Sequence, residues 1–164
     1  MFRSTELAMK GQNIDVASSP SFPLLISELE DGISKAGTAD NLFETIGREA
    51  FVELLRNTCP SLFNAIEITK EELDTGKGFT VLTNTGVDTL QPELAKAVSI
   101  TIGAQYGTPT RTDKSLSRIV WAIHNDDEST LQKTFSQTMN EVSFHTDTQY
   151  FEKPEQYFGL FCVT

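Results

Sequence analysis

Cysteine is scarce and unpaired in this chain: Cys59 and Cys162 are the only two in 164 residues, and neither stands in a Cys-x-x-Cys pair. A zinc knuckle or a thioredoxin-type site is therefore not indicated. The two read as small buried apolar side chains in a reducing compartment. Positive charge is also short, with 13 Lys and Arg against 23 Asp and Glu and a net charge of −10. A phosphate-binding surface needs clustered cations, and these are scattered, so neither nucleic acid nor an anionic membrane surface is an expected partner. An acidic balance of this kind keeps a soluble protein soluble. Long apolar runs are missing as well. The longest, Tyr157 to Val163, is far below the ~20 residues that cross a bilayer. The first residues, Met-Phe-Arg-Ser-Thr-Glu-Leu, carry an early acid and no apolar stretch of secretory type, which points to a cytoplasmic protein.

What the chain does hold is enough apolar material for one folded domain: 38% hydrophobic residues, eleven of them Phe. Residues 1–20 are polar and read as a loose leader. From Phe22 apolar side chains fall at 22, 25, 26, 29 and 33, a helical stripe opened by Ser21 and Pro23. A second helix is expected over Asn41–Asn57, with Leu42, Phe43, Ile46, Ala50, Phe51, Leu54 and Leu55 on one side, stopped at Cys59-Pro60. The pattern then changes. Gly76-Lys77-Gly78 reads as a turn and Phe79–Asn84 as a strand. Gln91-Pro92 opens another helix with Leu94, Val98, Ile102 and Tyr106 at spacing four, ended by Gly107-Thr108-Pro109. Leu116–His124 and Val142–Asp147 read as strands, and Tyr157–Val163 as a short strand buried on both faces. The expected class is α+β: a helical lead-in over 1–74 and a sheet core over 75–164.

Chemistry concentrates in one of those strands. Successive strand residues point to opposite faces, so His145 and Asp147 share a face, as do Phe144 and Thr146 on the other. An imidazole beside a carboxylate supplies two thirds of the 2-His-1-carboxylate set that holds Fe(II) with open positions. Spacing alone is a weak signal: two histidines and 23 acids in 164 residues give roughly 0.3 His-x-acid pairs by chance. The chain has a second pair, His124 and Asp126, running into the solvated turn Asp126-Asp127-Glu128.

Context strengthens the first pair. Asn140–Tyr150 with its Ser-Phe-His-Thr-Asp-Thr-Gln-Tyr core, then Lys153-Pro154-Glu155, then Gly159–Val163, resembles the TauD/TfdA family of Fe(II)/2-oxoglutarate dioxygenases, and especially its clavaminate synthase-like branch. Gly78–Asn84 followed by Gly86-Val87-Asp88, and the corner from Ile102-Gly103 to Tyr106-Gly107-Thr108-Pro109, are similar to earlier elements of that family. The resemblance covers roughly residues 75–164. It implies a double-stranded β-helix, or jelly roll, preceded by helices. By the same resemblance His145 and Asp147 are metal ligands, 2-oxoglutarate is the cosubstrate beside O₂, and a small molecule is hydroxylated as 2-oxoglutarate is decarboxylated to succinate and CO₂. Tyr150, Asn140 and Gln137 are candidates to line the substrate pocket, though core packing and loop solvation account for them too.

The family also has a second histidine ligand and an arginine for the far carboxylate of 2-oxoglutarate, both well downstream of the first pair. Here no histidine follows His145, and the last arginine is Arg118. The expectation is therefore the N-terminal half of such an enzyme. Two other readings stay open: a truncated, non-catalytic jelly-roll protein that binds a partner chain, and a cupin-like metal protein in which His124 joins His145 and Asp147.

Overall fold

A computed structural model describes residues 12–13, 20–76, 78–83, 85–111, 118–120, 152 and 155–161. The chain divides into two compact units, one of Met1–Pro109 with Gly159–Thr164 and the other of Thr110–Phe158. The described part of the first is built on four helices, α1 (Phe22–Ala36), α2 (Ala39–Thr58), α3 (Pro60–Thr75) and α4 (Pro92–Tyr106). Two residues, Gln12 and Asn13 (β1), pair in parallel with Leu82 and Thr83 (β2).

Each helix begins where its sequence removes or satisfies the orphan amides of a first turn. Pro23, Pro60 and Pro92 stand at the starts of α1, α3 and α4, where proline's missing N–H costs nothing. Before α2, the Thr38 side chain accepts from the Asn41 amide at 3.1 Å. The Ala39 amide of α2 donates to Glu93 Oε2 at 3.2 Å, so an acid on α4 meets the positive end of α2. At the other end of α1, Gly37 adopts φ 88° and its N–H reaches the Ile33 carbonyl at 2.7 Å.

The core of the unit is α4. Ten of its fifteen residues are buried, Leu94, Val98, Ile100 and Ile102 among them. It packs against α1, α2 and α3, which is the setting in which a helix can be covered almost all round. Its buried polar residues bond their own backbone: Ser99 Oγ donates to the Ala95 carbonyl at 2.8 Å, Thr101 Oγ1 to Ala97 at 2.6 Å, and Gln105 Nε2 to Thr101 at 3.1 Å. With these groups satisfied in place, a polar side chain can sit in an apolar core without desolvation cost dominating.

The spacing of α2 predicts one continuous helix, and the structure breaks it. Gly47 lies at φ 75°, ψ 172°, non-helical and in a region that only glycine adopts readily. The break turns Ile46, expected on the buried side, out to 41% exposure. Residues eight apart in a straight helix are about 12 Å apart along the axis, yet the buried rings of Phe43 and Phe51 lie 5.5 Å centroid to centroid. Between α1 and α2 the approach is close for another reason: a side chain at Gly32 would meet Leu42 Cδ2 at 2.8 Å.

The kink yields a direct test. A Cβ at Gly47 would meet no atom within 4 Å, so a Gly47→Ala change acts through backbone conformation alone. It should cost about 1–3 kcal/mol, read as a lowered midpoint in urea. Gly107, with φ 178° and equally open surroundings, is ordinary extended backbone, and Gly107→Ala should leave the midpoint in place. Equal midpoints for both variants would remove the conformational account of the kink.

Strand expectations need correction. Of the described residues 79–83 only Leu82–Thr83 pair, and Phe79 is 40% exposed. Arg118–Val120, the described part of the expected strand 116–124, shows no strand pairing. Among the described residues, four helices, one short 3-10 turn and a two-residue pairing are all the regular structure. The expected strand over 142–147 lies outside them, as does about half of residues 75–164. A β-rich stretch becomes a strand only where a neighbour accepts its ladder.

Candidate functional site

His145 and Asp147 lie outside the described residues, and so do Tyr150, Asn140, Gln137 and His124. What the structure does give is the framework on either side of them. After β2 the chain enters a built turn. Gly86 takes the left-handed conformation (φ 75°, ψ 0°) and opens the 3-10 turn Val87–Thr89. Thr89 Oγ1 donates back to the Gly86 carbonyl at 2.9 Å, and buried Val87 anchors the turn. The glycine of Gly86-Val87-Asp88 is therefore there for a backbone reason.

The C-terminal end of α4 is held by side chains from two other helices. Arg48 Nε, just past the α2 kink, donates to the Ala104 carbonyl at 2.8 Å, and Lys70 Nζ of α3 to Gln105 at 3.3 Å. Two cations thus meet carbonyls that the end of a helix leaves open, where its dipole is negative. Thr69 is fully buried, and its hydroxyl gives its one proton to the Ile66 carbonyl at 2.7 Å. It can then only accept from Tyr106, whose Oη is 2.6 Å away. Sequence spacing identified Tyr106 only as the last of a helical stripe. The cluster was missed because its members come from three helices, with no local pattern joining them.

Burial lifts Tyr106 above the ordinary phenol value of 10.0. The Glu67 carboxylate pushes the same way, and Thr69, whose hydroxyl can rotate to donate once the phenol ionises, partly offsets both. A phenol raised in the folded state gives stability that is whole below about pH 10 and is lost as pH climbs through the folded value. Wild-type stability should therefore fall above pH 10 more steeply than that of Tyr106→Phe. At neutral pH the variant should lose about 1 kcal/mol for the missing hydrogen bond. Parallel denaturation curves at pH 8 and pH 11 check both, and identical pH slopes would contradict the assignment.

In the second unit, Thr110 Oγ1 donates to Glu155 Oε1 at 3.2 Å, across 45 residues of chain. Gln156 Nε2 lies 3.0 Å from Tyr157 Oη. The apolar run that follows does not behave as expected. Tyr157–Phe161 shows no strand, and Phe158 and Leu160 are 70% and 73% exposed. Burial on both faces requires a sheet neighbour on each side and a layer above and below. Among the described residues no strand pairs with this run.

Among the described residues, no group of three or more His, Cys, Asp or Glu side chains is placed to hold a metal ion. Cys59 is buried, with its sulfur 3.8 Å from Ser61 Oγ. No helix among the described residues is long and apolar enough to cross a membrane. The ligands expected from the sequence, His145 and Asp147, lie outside the described residues. A neutral imidazole and a carboxylate make a donor set that suits Fe(II).

Compared with known proteins, the chain matches the pattern of the family described as "Taurine catabolism dioxygenase TauD, TfdA family" over residues 46–164. No curated protein and no solved structure matches it at a comparable level. The matched segment covers more than two thirds of the chain. It begins well before residue 75, taking in the second half of α2, the whole of α3 and α4, and the His145-Thr146-Asp147 triplet. The chain belongs to the TauD/TfdA family of dioxygenases.

Proposed function

We propose that this protein is a non-haem Fe(II)/2-oxoglutarate-dependent oxygenase that hydroxylates a small molecule, such as an amino acid or a natural-product intermediate. The observation that carries this reading is the family match, whose span of residues 46–164 includes the His145-Thr146-Asp147 triplet. In this reading His145 supplies a neutral nitrogen and Asp147 an anionic oxygen to the metal from one strand face. Tyr150, Asn140 and Gln137 contact the substrate. A metal held there would draw its oxidising power from O₂, one oxygen atom going to the substrate and the other into succinate as 2-oxoglutarate loses CO₂. This chain's part is ligand geometry and a pocket that keeps water away from the reacting centre.

The resemblance around residues 140–163 favours the clavaminate synthase-like branch, and this reading takes the protein as a cytoplasmic enzyme with a jelly-roll core. In this reading residues 75–164 contribute to that core, behind the helical lead-in of residues 1–74. The chain has no histidine after His145 and no arginine after Arg118 to serve as third ligand and 2-oxoglutarate-binding arginine. The test is succinate release from 2-oxoglutarate with Fe(II) and O₂. Residues 1–164 alone should release none above background. The coding sequence continued past Thr164 should encode a histidine followed by an arginine, and its product should turn over. A continued product with both residues but no succinate release would overturn the enzymatic reading. A continuation without a histidine would favour the non-catalytic jelly-roll protein.

A further inference from the structure

We draw no further inference here: the strongest candidate, the outer face of α3 where Ile68 stands exposed among Glu67, Lys70, Glu71 and Asp74, is an acidic face of one helix, and nothing among the described residues shows what covers it.

Discussion

Succinate release by the enzyme carrying its third ligand should fall to background in His145→Ala and in Asp147→Ala. Losing even an outer-shell partner of a metal ligand typically costs 10- to 100-fold in affinity or activity. Losing the ligand itself should exceed that, because in the proposed site each residue would supply one of only three protein bonds to the ion. Iron content after gel filtration should fall with activity, which separates a lost ligand from a lost substrate contact. His124→Ala is the control. It shares the His-x-acid spacing, and the reading here gives it no part in the metal site. A loss of iron in His124→Ala equal to that in His145→Ala would favour a cupin-like site of three ligands from this chain. A fully active His145→Ala would sink the ligand assignment altogether.

The largest effect on stability is expected at Phe51. This ring is fully buried and packs on Phe43 across the kink of α2. Removing a buried phenyl group forfeits its transfer energy and leaves a cavity, together about 3–5 kcal/mol for Phe→Ala. Whole-protein stability is only about 5–15 kcal/mol, so Phe51→Ala should leave the helical unit marginal. Urea denaturation followed by far-ultraviolet circular dichroism measures it. A second measurement isolates the ring pair. The rings are tilted by 43°, and such pairs couple by about 0.5–1.5 kcal/mol beyond area burial. Phe43→Ala, Phe51→Ala and the double variant should therefore be non-additive by that amount. Additivity would show that the kink brings the rings close without any gain from their contact.

The helices were legible because their signals are local. Phe22, Leu25 and Leu29 are buried on α1 as their spacing requires, and Pro23 and Pro92 mark helix starts, while Pro60, expected only to stop α2, also opens α3. The break at Gly47 was not legible. A glycine inside a helical stripe announces only a propensity cost, and its conformation is decided by what Phe43, Phe51 and Arg48 reach across space. The depth of α4 was underread for a related reason. Ser99, Thr101 and Gln105 break the apolar pattern, and the backbone bonds that let them be buried cannot be seen in it. Tyr157–Phe161 erred the other way, since an apolar run says nothing about whether neighbours exist to cover it. The candidate ligands were readable from the order of residues around His145 and the elements before it. The two-residue spacing could not have singled them out, because His124 and Asp126 share it.

The central place of α4 sets an order on how the molecule comes into being. Translation delivers α1, α2 and α3 before the helix against which all three pack. Until Tyr106 has left the ribosome, α1, α2 and α3 lack the helix against which all three pack. The nascent chain up to residue 91 should therefore expose apolar surface that the finished unit covers. A chain stopped at Gln91 should bind a hydrophobic dye strongly, and one stopped at Pro109 should bind far less. Codon choice across residues 92–106, where slow decoding prolongs that exposure, should influence yield more than the same change made further on.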